Sequence, residues 1–394
     1  MAQFFVASEE DIKNGLTTDI YYVRTREVLI KKGLADTKVA MDAHVYSFPK
    51  GYTWAVLAGV EEVAKLLEGL KVDVYAMDEG TVFRLYQPLL RIEGAYGEFG
   101  VLETTILGLL RHSSSIATKA ARCKKAAGDK LVISFGVRAI HPAIAPMADR
   151  AAFIGGCDGV AGISGAKLIG EKPMGTIPHE LVIVFGDQVS AWKAFDEVMP
   201  PDVPRIALCD TWFDERAEAL MAAQSLGAKL FGVRFDTPSS RRGDIRRIVE
   251  EARWTLNIHG YTNVKIVLSA GIDEYAIAKL KDVVDVFGVG TAIMFPPSVD
   301  IALDIVELNG KPVSKRGKMP GRKQVYRCLN CFHDELKPLG LKIEKCPKCG
   351  GPVEELLKPL IKNGEIVRDL PKPQRIREYL LKQLDKLPNI TEGG

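Results

Sequence analysis

Between Ser113 and Leu308 the chain repeats one pattern: a short apolar run, a tail of small, polar or charged residues, then a helical stretch. The runs are Leu131–Val137, Gly159–Ile163, Leu181–Phe185, Arg205–Cys209, Leu230–Phe235, Ile266–Leu268 and Val283–Phe287. Unbroken apolar runs of this length suit buried parallel strands, whose two faces are both covered by helices. Their intervals suit βα units. Seven runs in about 190 residues fit a (β/α) barrel, complete or irregular, or a doubly wound sheet. The expectation is an α/β protein with an irregular (β/α) barrel core.

The segments on either side read differently. Ser8 followed by Glu9, Glu10 and Asp11 has the look of a helix N-cap with acids in its first turn. Val39–Ser47 alternates as a half-buried strand would, Glu61–Gly69 reads as a helix closed by glycine, and Val82–Ile92 with the EGAYGEFG piece reads as strands around a turn. These features predict an α+β domain over 1–112 and the barrel over 113–310. Residues 311–394 form a third region. Within it, 311–348 holds 11 Lys+Arg against 3 Asp+Glu, although the whole chain carries only +3.

Hydrophobic residues make up 47% and charged residues 26%, which excludes a disordered or collagen-like chain. No run approaches the roughly 20 apolar residues of a membrane span. The N-terminus lacks the basic start and long apolar region of a secretory signal, so the expected compartment is the cytoplasm.

The third region carries Cys328-x2-Cys331 and Cys346-x2-Cys349. Each pair sets two thiolates on one tight turn, and two such turns complete a tetrahedron around Zn²⁺. Four thiolates leave no open position, so the expected zinc is structural, in a zinc-ribbon-like module. A basic zinc module also sustains a different reading, a nucleic-acid-binding protein, although Tyr326 and Phe332 make a thin stacking platform.

In the barrel, polar residues gather where the runs end, the face that carries active sites in such folds. Arg138 follows the first run, Asp158 precedes the second, Asp210 ends the fourth, and Arg234 and Asp236 straddle the end of the fifth. Guanidinium groups suit phosphate or carboxylate, and Arg241 and Arg242 add charge nearby. Ser269-Ala-Gly271-Ile-Asp273 and Gly288-Val-Gly290-Thr291 would expose backbone N–H groups as phosphate cradles do, although βα turns need glycine in any case. His179 stands in a loop fixed by Gly175, Thr176 and Pro178, with Glu180 placed to orient its ring. These residues point to an enzyme for anionic, phosphorylated substrates.

Seven motifs in order carry a resemblance: Thr18-Asp-Ile-Tyr21, Phe135-Gly-Val-Arg138, Gly155-Gly-Cys-Asp158-Gly159, Gly175-Thr-Ile-Pro-His179, Arg234-Phe-Asp236, Ser269-Ala-Gly271 and Phe287-Gly-Val-Gly-Thr291. With Pro320-Gly-Arg-Lys-Gln-Val-Tyr326, the chain resembles the nicotinate phosphoribosyltransferases, and its tail resembles that of their archaeal branch. The resemblance implies transfer of a phosphoribosyl group from phosphoribosyl pyrophosphate to nicotinate in NAD biosynthesis. It implies ATP acting through a phosphohistidine at His179, and Mg²⁺ on the pyrophosphate. It places Tyr21 on the pyridine ring of a neighbouring subunit, in a homodimer or higher homo-oligomer. It gives Arg138 the nicotinate carboxylate or a nearby phosphate, and Arg234 with Asp236 the ribose-pyrophosphate. Gly271, Gly290 and Thr291 take the 5′-phosphate, with Ser269 and Gly288 in the same two loops. Asp158 stands where nicotinamide-using relatives carry an aspartate, so either it points away from the substrate or nicotinamide is the substrate. Quinolinate phosphoribosyltransferase has a related fold, but its basic motifs are not found here.

Overall fold

The computed structural model describes residues 4–241 and 243–390. The chain divides into two compact units and not into three consecutive segments. Residues up to Thr118 with Pro297–Pro388 make one, and Lys119–Pro296 makes the body of the other. The expected boundary at 112/113 falls inside a single 25-residue helix, Glu103–Ala127. The expected third region is not separate either, because its strand Lys358–Lys362 pairs with Val72–Ala76 in the sheet of the first unit.

That sheet has seven strands in the order 311–312, 301–308, 38–45, 88–95, 72–76, 358–362 and 365–366, antiparallel throughout. The expected N-cap is present as a capping box, with the Ser8 hydroxyl accepting from the Asp11 N–H and the Asp11 carboxylate accepting from the Ser8 N–H. Lys38–Val45 is not half-buried as its alternation suggested. Every residue after Lys38 is buried, because the polar face is covered as well. Its Asp42 meets the Lys323 ammonium at 3.3 Å, and its His44 meets Asp304 at 3.0 Å. Burial opposes ionisation of Asp304, but His44, Lys315 and Lys318 outweigh it and hold the carboxyl well below the usual range. The EGAYGEFG piece is a strand only to Ala95, then one helical turn, Tyr96–Phe99.

The same pairings account for the basic segment. Of its eleven cations, Lys315, Lys318, Arg322, Lys323, Arg327 and Lys337 are in ion pairs with acids of this unit. Arg322 bridges Glu93 and Glu307, and the Lys323 carbonyl accepts from buried Arg91. The Pro320–Tyr326 motif is thus a clamp on the sheet. Part of the positive charge that suggested nucleic acid is paired within the fold. Among the described residues no helix is long and apolar enough to cross a membrane.

The second unit holds a six-stranded parallel sheet in the order 159–160, 131–134, 286–289, 265–268, 230–235 and 205–208. Six of the seven apolar runs are these strands. The order is that of a barrel left open between Gly159–Val160 and Arg205–Leu208. The seventh run, Leu181–Phe185, is not a strand but lies in a helix, His179–Phe185. Its β-branched residues misled the reading. Pro178 precedes the helix, and Gly186 closes it in the left-handed conformation (φ 73°), donating to the Val182 carbonyl. Only Val182 is buried, and Val184 is 83% exposed. The curled sheet is therefore irregular because this connection supplies helices where a closed barrel would have a strand.

Candidate active site

Each strand of the open barrel ends on the same side, and five of the tails converge there. A cavity of about 550 Å³ is lined by Phe135, Arg138, Arg234, Asp236, the 269–273 loop, Gly288, Gly290 and Thr291. Arg234 is its organising group. Its Nε donates to Ser269 Oγ at 2.9 Å, one terminal nitrogen donates to Thr176 Oγ1 at 2.8 Å, and the other donates to Asp236 Oδ2 at 2.6 Å. The Ser269 hydroxyl donates to Asp236 Oδ1 at 2.6 Å, which closes the network. The guanidinium lies 5.6 Å from the centre of the Phe135 ring. That ring needs Gly288, since a Cβ there would sit 2.5 Å from it. Arg138 is exposed at the rim and carries no ion pair among the described residues.

The 269–273 loop is bent into an uncommon shape. Ala270 has φ 68°, a left-handed conformation costing an L-residue about 1–2 kcal/mol, and Gly271 follows at φ 68°. Asp273 caps the helix Glu274–Leu280 by accepting from the Tyr275 and Ala276 N–H groups, so that helix start is already satisfied. The helix at Thr291 has no side-chain cap. Of the two cradles read from the sequence, only the second leaves a helix start uncapped.

His179 is the first residue of its helix, with its ring 37% exposed. Its Nδ1 lies 3.1 Å from Thr211 Oγ1, and its Nε2 lies 3.8 Å from Asp210 Oδ1. Glu180, expected to orient the ring, is exposed, and Asp210 and Thr211 take that place. Buried Glu218 fixes the Thr211 loop by accepting from the N–H groups of Thr211, Trp212 and Phe213 at 3.1, 2.7 and 2.9 Å. Asp210 Oδ2 accepts from the Asp236 N–H and, at 2.8 Å, from the Thr237 hydroxyl, while its Oδ1 is buried without a hydrogen bond among the described residues. Burial pushes the Asp210 carboxyl up, opposed in part by Thr237, the Asp236 N–H and His179. Sequence reading noted Asp210 only as the end of a strand and Thr176 only as part of the His179 loop, and it passed over Thr211 and Thr237. Their signal was position, since each stands in a tail at the C-terminal ends of the strands.

One expected residue is not brought to this cavity. Asp158 stands before its strand, at the opposite end of the sheet, accepting from Lys124 Nζ at 2.9 Å and from the Val132 N–H at 2.8 Å. Of the two alternatives drawn for it, it points elsewhere. Tyr21 belongs to the other unit, 54% exposed on the helix Ile20–Lys31, which buries none of its residues. Arg241 is exposed, and Arg242 lies outside the described residues.

Asp149 was not anticipated. It lies in the helix Ala145–Ile154 against Gly162 and Gly165, fully buried, with neither oxygen in a hydrogen bond among the described residues. Burial pushes its pKa up to about 6, and the Gly162 backbone offsets this only in part. A carboxyl raised on folding binds its proton more tightly in the native state. Its contribution is therefore most favourable below the unfolded value near 4 and is lost as pH rises toward 6. Asp149→Asn should gain on the wild type by about 1–2 kcal/mol above pH 6, allowing for partial screening, and lose that gain near pH 4. Denaturant midpoints of the two proteins across this range check the prediction, and a pH-independent difference would contradict it.

In the first unit the four cysteines meet. Their sulfurs all lie within 4.8 Å of one another, with Cys328–Cys349 at 3.4 Å and Cys331–Cys346 at 3.7 Å. A tetrahedral site with Zn–S of about 2.3 Å sets its sulfurs about 3.8 Å apart. Backbone N–H groups of Cys331 and Lys348 donate to the first sulfur of each knuckle at 3.4 Å, as charged thiolates require. The donor set fits a metal ion. Among the described residues it is the only cluster of three or more potential ligands this tight.

Comparison with known proteins agrees with this geometry. The N-terminal-domain model of quinolinate phosphoribosyl transferase matches residues 19–114, and the C-terminal-domain model matches 116–304. A Bacillus subtilis nicotinate phosphoribosyltransferase is 28% identical over 82% of this chain and 74% of its own length. The human nicotinic acid phosphoribosyltransferase structure shares the fold, with a TM-score of 0.75 at 21% identity over 94% of both chains. The crystal structure of a Pyrococcus furiosus nicotinate-nucleotide pyrophosphorylase superposes with a TM-score of 0.96 at 58% identity, covering 98% of this chain and 99% of that one. With two domain models matching residues 19–114 and 116–304 and a relative this similar along its whole length, the chain belongs to the quinolinate phosphoribosyl transferase family.

Proposed function

We propose that the chain is a nicotinate phosphoribosyltransferase, joining nicotinate to phosphoribosyl pyrophosphate and releasing pyrophosphate. The observation that carries this is the cation inventory of the cavity. Among the described residues two guanidinium groups line it, and Arg234 is engaged by Asp236. Arg138 alone is left for a pyridine carboxylate, which suits the one carboxylate of nicotinate better than the two of quinolinate. The Bacillus relative bears the nicotinate name, and the Pyrococcus relative is named for nicotinate nucleotide and pyrophosphate. Asp158, paired with Lys124, is no obstacle to an anionic ring.

In this reading Arg138 holds the carboxylate, Arg234 and Asp236 hold the ribose-pyrophosphate, and the loops at Gly271 and at Gly290–Thr291 hold the 5′-phosphate, flanked by Ser269 and Gly288. The pyridine nitrogen forms a bond to the anomeric carbon while the bond from that carbon to pyrophosphate breaks, its electrons leaving with the pyrophosphate. The site stabilises the departing anion and keeps the nitrogen in line. Apart from the cysteines, no ligand cluster for a resident ion is found among the described residues. Mg²⁺ would therefore arrive with the phosphates and neutralise their charge. His179 takes the γ-phosphoryl of ATP, with ADP leaving. Asp210 on the Nε2 side favours the tautomer with its proton there, so the attacking lone pair is that of Nδ1, which the Thr211 hydroxyl at 3.1 Å must release first. Incubating the protein with nicotinate and phosphoribosyl pyrophosphate should yield nicotinate mononucleotide and pyrophosphate in equal amounts. Failure to form either product would overturn the reading.

The cysteine cluster is read as structural zinc, one per chain. Cys346→Ser should lose the metal and loosen the three-stranded sheet of 323–328, 334–338 and 353–355, because an incomplete tetrahedron forfeits the binding energy that folds such modules. Elemental analysis of unchelated protein checks this, and metal-free wild type that is fully folded would contradict it.

The assembly is read as a homodimer or higher homo-oligomer with Tyr21 reaching a neighbour's pyridine. The support is a helix that exposes Ile20, Tyr21, Val23, Val28 and Ile30 to solvent, an unusual apolar surface for a monomer. Tyr21→Ala should raise the KM for nicotinate about 2–10-fold and leave that for phosphoribosyl pyrophosphate nearly unchanged. Sedimentation showing a fully active monomer would rule out this role.

A further inference from the structure

A buried charge cluster that the chemistry above does not use begins where the 269–273 loop ends. Glu274 opens the helix that follows the loop, and its carboxylate is held from both sides. Arg122 Nε donates to Oε1 at 3.0 Å, and the Lys119 ammonium pairs with Oε2. Arg122 also donates to the Tyr275 hydroxyl at 3.2 Å. Both cations come from the long helix Glu103–Ala127, one turn apart. Lys119, Arg122 and Glu274 are 8%, 3% and 0% exposed. Burial opposes ionisation of Glu274, but the two cations outweigh it and keep the carboxyl below its ordinary range.

Clusters of this kind are a poor source of stability, because desolvating the charges cancels much of their attraction. Their strength is in fixing geometry, and here the adjoining loop needs fixing. Ala270 persists at φ 68° only if its surroundings hold it there. Ser269 is tied down on one side by Arg234 and Asp236, and Glu274 is tied down on the other. No other residue between them carries a charge except Asp273, whose carboxylate is committed to the helix cap.

We propose that Lys119 and Arg122, acting through Glu274, are positioning residues that hold the 269–273 loop in its substrate-binding shape and so set the affinity for the phosphorylated substrate and not for the pyridine. This rests on the proposed reading of the cavity. Lys119→Met leaves the Arg122–Glu274 pair balanced and is the variant most compatible with folding; Arg122→Lys is the second. Steady-state kinetics should show the KM for phosphoribosyl pyrophosphate rising about tenfold in each, the KM for nicotinate within about twofold of wild type, and kcat within about threefold, as expected when a loop is displaced without loss of a reacting group. Lys119→Arg should restore the affinity. Calorimetric titration with ribose 5-phosphate should show the same tenfold loss without turnover. Unchanged ribose 5-phosphate affinity in both variants, or KM values for the two substrates rising together, overturns the proposal while the reading of the cavity stands. Wild-type protein that binds no ribose 5-phosphate and makes no product overturns that reading and the proposal with it.

Discussion

Replacing His179 by alanine is expected to abolish ATP hydrolysis and the ATP-dependent gain in product, while slow, ATP-independent transfer survives. Alanine has no nitrogen to phosphorylate. Among the described residues, the geometry proposed to activate His179, a ring between Thr211 Oγ1 at 3.1 Å and Asp210 Oδ1 at 3.8 Å, belongs to no other histidine. In the proposed reading the transfer itself depends on Arg138, Arg234 and Asp236, which the substitution leaves in place. Asp210→Asn should reduce phosphorylation less completely, since the ring keeps its Thr211 contact but loses the carboxylate that favours the reactive tautomer. Labelling with γ-labelled ATP decides between this role and mere packing. An acid-labile, alkali-stable label on His179 supports the role, and ATP-driven product formation persisting in His179→Ala contradicts it.

Arg234→Met should lower kcat/KM by about 10³-fold, the scale of removing a buried charge partner aimed at developing charge. The guanidinium is 12% exposed and satisfies Ser269, Thr176 and Asp236 at once. Removing it leaves Asp236 as an unpaired negative charge in the position proposed for pyrophosphate, so repulsion adds to the loss of attraction. Arg234→Lys should recover little of this, because an ammonium cannot present three donors in one plane. The double variant Arg234→Met with Asp236→Asn should be less impaired than Arg234→Met alone. Kinetics of the three variants measure the coupling, and strictly additive effects would argue against a single unit.

The strands and the cysteine cluster were legible because their signals are local. A buried parallel strand writes itself as an apolar run, and a knuckle as CxxC. Leu181–Phe185 failed by the same rule. Five apolar residues read alike in a strand and in a helix, and only the Pro178 and Gly186 boundaries and the exposure of Val184 tell them apart. Lys38–Val45 failed because the group that covers its polar face, Lys323, lies 281 residues away along the chain. The site was half legible. Arg138, Arg234, Asp236, Ser269, Gly271, Gly288, Gly290 and Thr291 could be named from strand tails and motifs, and they do line one cavity. The partner of His179 could not, since Asp210 arrives from another strand and its neighbour Glu180 turns to solvent. Asp158 shows the converse. Its motif is in place, but its side chain serves Lys124 and the Val132 N–H, a commitment that only three dimensions reveal.

The central claim is the pyridine acceptor, and side-by-side product analysis with nicotinate, nicotinamide and quinolinate, each with phosphoribosyl pyrophosphate and with or without ATP, tests it most directly. The account predicts that nicotinate is converted to its mononucleotide and that ATP raises the yield. Nicotinamide should be poor because it offers no charge to Arg138, and quinolinate poor because its second carboxylate finds no free cation among the described residues that line the cavity. Efficient use of nicotinamide, or release of carbon dioxide from quinolinate at a rate matching nicotinate turnover, would contradict it.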